Sequence, residues 1–237
     1  MKLDFIMEKE KSHNNLIIYE DDTILLINKP QGLATGIGKK DNLCNLIFKE
    51  YPYLLNINGY KKEEGGLLNR LDNETGGIVL FAKSDKGFQY YHNEMKNCKI
   101  EKIYTAVVQG IPDNQNGIID YPIAHHYRNI KKMVIVNEKS KIKHRGKPRK
   151  AVTEWRLLKT KYDKSILEVK IKKGIRHQIR IHLSYIGLPI VGDKLYNKSH
   201  NNKIQNHLLY ANGIKFIPYK KKEYIEISLD VPFISDL

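Results

Sequence analysis

A lone aspartate, Asp72, lies between two apolar runs in the segment Leu67-Leu68-Asn69-Arg70-Leu71-Asp72-Asn73-Glu74-Thr75-Gly76-Gly77-Ile78-Val79-Leu80-Phe81-Ala82-Lys83. The glycine pair permits a tight turn, and the short apolar run after it predicts a buried strand. Arg70 is expected to keep the Asp72 carboxylate ionised, because a nearby cation favours the charged form. An ionised, oriented carboxylate can act as a nucleophile or a base. The alternative is a structural aspartate that caps the turn.

Composition limits the classes of protein to which this chain can belong. It has 237 residues, a hydrophobic fraction of 41% and a mean hydropathy of −0.51, which are typical of a globular protein. Residues 1–10 lack the apolar core of a secretory signal, and no run approaches the roughly 20 apolar residues of a membrane span. Cys44 and Cys98 are too isolated for a disulfide framework or a zinc site. We therefore expect a cytoplasmic protein.

The charge of the chain indicates its partner. Lysine and arginine total 41 against 26 acidic residues, a formal net charge of +15. Such an excess favours a polyanion, and nucleic acid is preferred to a membrane because no basic amphipathic helix is evident. Basic residues crowd into 124–150, which we interpret as an exposed hairpin or loop that contacts phosphates. The alternative is that these lysines only solvate the surface.

The hydrophobic pattern predicts one domain, of one or two lobes, over residues 16–237, preceded by a polar tail over 1–15. Short strands and helices alternate, and the helix over 175–186 places Arg176 and Arg180 four residues apart on one face. The predicted strands cover 16–19, 23–28, 78–82, 101–109, 118–123, 151–158, 165–172, 207–210 and 224–229, and the other predicted helices cover 42–51 and 84–98.

Four motifs, in order, resemble those of the RluA family of RNA pseudouridine synthases. They are Asn28-Lys29-Pro30-Gln31-Gly32, Asn69-Arg70-Leu71-Asp72 followed by Thr75-Gly76-Gly77, Lys102-Ile103-Tyr104-Thr105-Ala106, and Gly174-Ile175-Arg176-His177-Gln178-Ile179-Arg180 with its sequel Gly187-Leu188-Pro189-Ile190-Val191-Gly192-Asp193. The family signature has His where this chain has Asn69 and Ser where it has Gly76. Leu188 stands where a His is common.

The resemblance implies a fold and a class of reaction. The expected fold is α+β, with a long, bent, mostly antiparallel sheet flanked by helices and crossed by a basic catalytic cleft. Too few residues precede Leu16 for the S4 RNA-binding domain that many relatives carry, so we expect recognition to depend on the catalytic domain. The loop 32–36 resembles the RluC branch. The reaction isomerises uridine within RNA, which requires no cofactor, and we expect a monomer.

The resemblance also assigns roles to individual residues. Asp72 would be the catalytic carboxylate, acting on C1′, on the base or on the 2′ proton. Arg180 would hold Asp72 in a bidentate pair, with Arg176 as the competing candidate or a phosphate contact. Tyr104 would stack on the target base and help to remove the C5 proton. The residues assigned to RNA contact are Lys29, Arg70, Lys131, Lys132, Arg176, His177 and Gln178.

No metal site is expected, because His177 and His182 are five residues apart and so do not share a helical face. His177 would alternatively orient a neighbouring group. We expect the substrate to be a uridine in structured RNA, with large-subunit ribosomal RNA favoured over transfer RNA. The rival hypothesis from another class is a catalytically silent RNA-binding protein on the same fold.

Overall fold

The computed structural model describes residues 16–38, 41–137, 142–199 and 204–234. The chain divides into two compact units, Met1–Asn93 and Glu94–Leu237. The predicted polar tail, residues 1–15, lies outside the described residues.

An antiparallel sheet organises the first unit. Its strands are β1 (Ile17–Glu20), β2 (Ile24–Lys29) and β3 (Gly76–Ala82). The turn between β1 and β2 is closed by Asp21, whose Oδ1 accepts hydrogen bonds from the backbone N–H groups of Thr23 (2.7 Å) and Ile24 (3.0 Å). β2 and β3 pair without interruption, and every residue of β3 is buried. The predicted buried strand after the glycine pair is confirmed.

Side-chain caps fix the helices of the first unit. Helix α1 (Leu43–Glu50) begins after Asn42, whose side chain accepts a hydrogen bond from the Asn45 N–H at 2.9 Å. Helix α2 (Asp85–Lys96) begins after Ser84, whose Oγ accepts from the Gly87 N–H at 3.1 Å. Both helices were predicted. Two short 3₁₀ helices, Pro52–Asn56 and Lys62–Glu64, lie between α1 and β3.

The second unit contains a larger antiparallel sheet and a smaller one. Its strands, in chain order, are β4 (Glu101–Gln109), β5 (Asn116–Asp120), β6 (Ile123–His126), β7 (Met133–Ile135), β8 (His144–Arg149), β9 (Val152–Lys161), β10 (Lys164–Ile171), β11 (Leu209–Phe216) and β12 (Ile225–Ser228). The larger sheet runs β12-β11-β4-β10-β9-β5, and the smaller one runs β7-β6-β8. With helix α3 (Gln178–Tyr185), the class is α+β, as predicted.

Two predictions about the second unit are corrected. The single strand expected over 118–123 is two strands, β5 and β6, with Pro122 between them, since proline has no N–H to donate to a ladder. The helix expected over 175–186 begins only at Gln178, because His177 has a left-handed backbone (φ 55°). Arg176 is therefore outside the helix, and the prediction that it shares a helical face with Arg180 is wrong.

The segment 124–150 contributes β6, β7 and β8 to the smaller sheet rather than a loop alone. Ile123, Met133 and Ile135 belong to a buried apolar cluster with Ile175 and Ile181, so the sheet is anchored to the start of α3. No helix in the described part of the chain has the length and apolar character needed to cross a membrane.

Candidate active site

The loop that carries Asp72 is held in place through its backbone. Thr35 brackets the preceding residue: its Oγ1 donates to the Leu71 carbonyl at 2.9 Å and accepts from the Leu71 N–H at 3.2 Å. The loop closes on itself where the Thr75 N–H donates to the Asp72 carbonyl at 3.0 Å. Asp72 itself is partly buried. Its backbone is thus fixed while part of the residue remains exposed to solvent.

A buried lysine, Lys29, also bonds to the backbone of the same loop. Lys29 is 0% exposed, and its Nζ donates to the carbonyl oxygens of Pro30 (2.9 Å), Leu33 (2.8 Å) and Asn73 (3.2 Å). Burial lowers the pKa of Lys29 from 10.5 to about 7, against the opposing effect of the Asp72 charge. The burial of Lys29 argues against its predicted contact with RNA, because the amino group is enclosed by backbone oxygens.

Two further hydrogen bonds join the segment after Lys29 to the Asp72 loop. The Gly32 N–H donates to the Asn73 carbonyl at 2.8 Å, and the Gln31 side chain donates to the Glu74 carbonyl at 3.1 Å. Gly32 has φ 87°, a left-handed conformation that glycine adopts without strain. The first two sequence motifs therefore form one structure: the Asn-Lys-Pro-Gln-Gly segment supports the loop that carries Asp72.

Asn69 and Arg70 flank the loop on its amino-terminal side. Asn69 bonds to the buried strand: its Oδ1 accepts from the Leu80 N–H at 2.7 Å, and its amide donates to the Ile78 carbonyl at 3.4 Å. Asn69, which stands where the family signature has His, therefore binds β3 through its side chain. The Arg70 side chain is 52% exposed, and its Nη1 donates to Glu64 Oε1 at 3.0 Å.

In the second unit, Arg180 forms a bidentate pair with Asp193. Its Nε and Nη2 donate to the two carboxylate oxygens at 2.7 and 2.8 Å, and both residues are buried. The backbone N–H groups of Leu195 (2.9 Å) and Tyr196 (3.1 Å) also donate to Asp193. Burial alone would raise the pKa of Asp193, but the hydrogen bonds and charge of Arg180 and the Leu195 N–H hold it below its usual range.

Tyr196 was not assigned a role from the sequence, yet it contacts three parts of this region. The Arg180 Cζ lies 5.4 Å from the centroid of the Tyr196 ring. The phenol oxygen accepts from the Met133 N–H at 2.8 Å and is hydrogen-bonded to His177 Nδ1 at 2.9 Å. Tyr196 therefore joins β7, the residue before α3, and the Arg180 guanidinium. A partial signal for this region was present: an aspartate after a glycine often organises the next turn.

Gln178 and Tyr104 are both buried in the second unit. The Gln178 side chain accepts from the Ile175 N–H (3.0 Å) and donates to the Val152 carbonyl (2.8 Å), and these internal partners argue against its predicted contact with RNA. Tyr104 lies on β4 opposite Val169 and is 7% exposed. Asp72 belongs to the first unit, whereas Tyr104 and Arg180 belong to the second, and the predicted pair between Asp72 and Arg180 stays a prediction.

The basic loop between β6 and β7 is ordered by its own contacts. His126 Nδ1 accepts hydrogen bonds from the backbone N–H groups of Arg128 (3.1 Å) and Asn129 (3.0 Å). Arg176 is exposed, and its Nη1 donates to the Ile130 carbonyl at 3.3 Å. Lys131, on the same loop, is exposed. Within the residues that the structure describes, no group of three or more His, Cys, Asp or Glu side chains is arranged to hold a metal ion.

The contribution of Lys29 to the free energy of unfolding should depend on pH. Between about pH 7 and 10.5 the unfolded chain retains a proton on Lys29 that the folded protein has lost, so the contribution of Lys29 to the free energy of unfolding should rise with pH across this range. Lys29→Met removes that titration. The free energy of unfolding of the wild type, relative to Lys29→Met, should therefore increase as the pH is raised, as measured by urea unfolding. The exposed Lys62→Met is the control, and a difference that is constant with pH would contradict this prediction.

Asp193→Asn should lower the free energy of unfolding by about 3–5 kcal/mol, because it removes the charged partner of a buried guanidinium. Denaturant unfolding at neutral pH measures the change. Asp113→Asn, in an exposed loop of the same unit, is the matched control and should change stability by less than about 0.5 kcal/mol. Equal stability of the two variants would show that the Arg180–Asp193 pair does not support the fold.

Comparison with known proteins identifies the family. The family model described as RNA pseudouridylate synthase matches residues 23–185. The chain is 32% identical over 229 residues to ribosomal large subunit pseudouridine synthase C of Buchnera aphidicola, across 92% of this chain and 68% of that protein. It is 34% identical over 186 residues to ribosomal large subunit pseudouridine synthase D of Borreliella burgdorferi, across 77% of this chain and 54% of that protein.

Solved structures share the fold. Human RNA pseudouridylate synthase domain containing 1 matches with a TM-score of 0.74 at 21% identity, across 93% of this chain and 85% of that one. Human RNA pseudouridylate synthase domain containing 4 matches with a TM-score of 0.70 at 24% identity, across 94% and 90%. Together with the match to the family model, these likenesses confirm the resemblance carried by the four motifs: the chain belongs to the RluA-type family of RNA pseudouridine synthases.

Proposed function

We propose that this pseudouridine synthase acts on uridine in large-subunit ribosomal RNA, with Asp72 as the reacting carboxylate. The observation that carries the assignment of Asp72 is the support of its loop, whose backbone is bonded by Thr35 on one side and by Lys29 on the other. A carboxylate held in this way has lost its backbone freedom before substrate binds, which favours reaction at a fixed position. The substrate class is supported by the names of relatives that modify large-subunit RNA.

The reaction is an isomerisation in which atoms and electrons balance within the substrate. The bond from N1 of uracil to C1′ breaks, the base rotates, and C5 forms a new bond to C1′. C5 then loses its proton, and N1 gains one. No oxidant, reductant or water is consumed. Asp72 would add to C1′, add to the base, or remove the 2′ proton, and each of these routes requires an ionised carboxylate at the sugar or base.

Tyr104 and Arg180 complete the proposal. Tyr104 would stack on the uracil ring and assist removal of the C5 proton. Arg180 would bind the Asp72 carboxylate, while Asp193 accepts hydrogen bonds from Nε and Nη2 of the same guanidinium at 2.7 and 2.8 Å. In this arrangement Asp193 orients Arg180 by occupying one edge of its guanidinium.

The basic loop between β6 and β7 would bind phosphates of the RNA. Lys131 is exposed on this loop, Lys132 is partly exposed, and Arg176 bonds to its backbone. Removing a stacked uridine from a helix costs a few kcal/mol, so contacts with the surrounding RNA are needed to offset it. Arg70 and His177 would contribute further contacts.

Asp72→Asn should abolish product formation while leaving RNA binding within about two-fold, because the change removes a charge from the reacting group and keeps its shape. The measurement is tritium release from RNA containing 5-tritiated uridine, with filter binding of the same RNA. Asp22→Asn, an exposed acid in the turn between β1 and β2, is the matched control and should retain wild-type activity. Product formation by Asp72→Asn at the wild-type rate would remove Asp72 from the mechanism.

Mapping pseudouridines in cells with and without the gene identifies the substrate. Loss of one or more pseudouridines from large-subunit ribosomal RNA, restored by the wild type but not by Asp72→Asn, is the expected result. A loss confined to transfer RNA would assign the alternative substrate. If no pseudouridine disappears and the purified protein only binds RNA, the silent RNA-binding hypothesis is correct.

Lys131→Gln combined with Lys132→Gln should weaken RNA binding at low salt and leave the turnover rate at saturating RNA unchanged. Each lost phosphate contact should reduce the slope of log affinity against log salt concentration by about 0.7 to 0.9. Lys159→Gln with Lys161→Gln removes the same charge from exposed positions on β9 and serves as the control. Equal salt slopes in the two double variants would contradict a phosphate contact at the β6–β7 loop.

A further inference from the structure

Glu64 is a buried acid in the first unit that forms an ion pair with Arg70, two residues before Asp72. Its side chain is 5% exposed and lies on the 3₁₀ helix Lys62–Glu64. Its Oε1 lies 3.0 Å from Arg70 Nη1 and 3.8 Å from Lys61 Nζ. A carboxylate is costly to bury unless a cation or several donors compensate its charge. Arg70 is the nearer of the two cations, and its side chain is 52% exposed, so this ion pair joins the interior to the surface.

The ion pair between Glu64 and Arg70 occupies the space that a side chain at position 36 would need, and Gly36 has no side chain. A Cβ at Gly36 would collide with Glu64 Oε1 and would lie 2.9 Å from Arg70 Cζ, so any larger residue would displace one member of the pair. Gly36 directly follows Thr35, which holds both backbone polar groups of Leu71. One short segment therefore contacts the tip of the Arg70 side chain and fixes the backbone next to it.

These contacts constrain both the backbone and the side chain of Arg70. Thr35 is hydrogen-bonded to the backbone of the next residue, Leu71, and Glu64 binds the Arg70 guanidinium. Left unpaired, an exposed arginine samples many rotamers and loses that freedom when it binds. With one nitrogen held by Glu64, the directions that the other donors of the Arg70 guanidinium can take are restricted. The arrangement suits a phosphate or a base edge, both of which accept from an arginine fork.

We propose that Glu64 is a positioning residue that presents the Arg70 guanidinium to the substrate RNA beside Asp72. The inference rests on the proposed function, since it takes Arg70 to contact the RNA bound for reaction at Asp72. It adds a residue that no sequence motif indicated, because Glu64 lies outside the four motifs. Its effect is mediated by Arg70, and Glu64 itself need not touch the RNA.

The direction in which Glu64→Gln changes the RNA affinity distinguishes a positioning role of Glu64 from a simple effect of its charge. Glu64→Gln removes one negative charge, and on long-range electrostatics alone the variant should bind a polyanion as tightly as the wild type or more tightly. Loss of positioning acts in the opposite direction and weakens binding. Glu63 offers a matched control, because it is the adjacent residue on the same 3₁₀ helix, is exposed, and gives the same change in net charge when replaced by Gln.

The experiment compares Glu64→Gln, Glu63→Gln, Arg70→Gln and the double variant Glu64→Gln with Arg70→Gln. The KM and single-turnover rate are measured on substrate RNA, and affinity is measured in an Asp72→Asn background so that no turnover occurs. We expect Glu64→Gln to bind about ten-fold more weakly and to raise KM by a similar factor, as loss of one charge-assisted hydrogen bond implies. Glu63→Gln should bind as tightly as the parent or more tightly. The double variant should be no weaker than Arg70→Gln alone, because the two residues act through one contact.

Gly36→Ala provides a second variant that changes no charge. Its added methyl group displaces the pair, so KM should rise as it does in Glu64→Gln. Thermal unfolding of each variant identifies the temperature range in which all are folded, and the kinetics are compared within that range.

Glu64→Gln that matches Glu63→Gln, or whose effect adds in full to that of Arg70→Gln, would overturn the proposal. Failure of the proposed function has a different signature, namely activity in Asp72→Asn. If Asp72→Asn is inactive and Glu64→Gln matches Glu63→Gln, only the role of Glu64 is lost.

Discussion

The hydrogen bonds of the buried Lys29 amino group are the interaction on which the candidate site depends. It gathers carbonyl oxygens from Pro30, Leu33 and Asn73, which belong to two segments about forty residues apart in the chain. A carbonyl oxygen inside a protein needs a donor, and a lysine can supply three N–H groups from one atom. The cation therefore fixes the relative positions of the segment that follows β2 and the loop that precedes β3. Below about pH 7, the protonated amino group also places a positive charge near the Asp72 carboxylate.

The two units prepare their functional groups by different means. In the first unit, the backbone on either side of Asp72 is held by hydrogen bonds from Thr35 and Lys29. In the second unit, Arg180 is held through its side chain by the Asp193 carboxylate and lies against the Tyr196 ring. A reactive acid needs access to its substrate, whereas a cation that orients another group gains from rigid burial. The same contrast applies to Arg70, whose exposed guanidinium is held at one nitrogen by buried Glu64.

The basic residues of the chain differ in whether their side chains are buried or exposed. Of the basic residues predicted to contact RNA, Lys29 is buried and bonds to backbone oxygens, while Arg70, Lys131 and Arg176 have exposed side chains. Arg176 also supports the loop that carries Lys131 by bonding to the Ile130 carbonyl. The formal charge therefore overstates the number of phosphate contacts available, since part of it stabilises backbone oxygens inside the protein.

The sequence by itself determined the family, the strand after the glycine pair, the helices at 42–51 and 84–98, and the α+β class. These depend on local signals: hydrophobic periodicity, caps such as Asn42 and Ser84, and short motifs whose order is visible in the chain. Only the tertiary structure decided that Lys29 and Gln178 are internal, that α3 begins after the left-handed His177, and that Asp193 and Glu64 hold the arginines. The physical reason is that each of these contacts joins residues of different segments, from Glu64 and Arg70, six residues apart, to Lys29 and Asn73, 44 residues apart. Residue type reveals that a side chain can donate or accept, but its partner is set by how the segments pack.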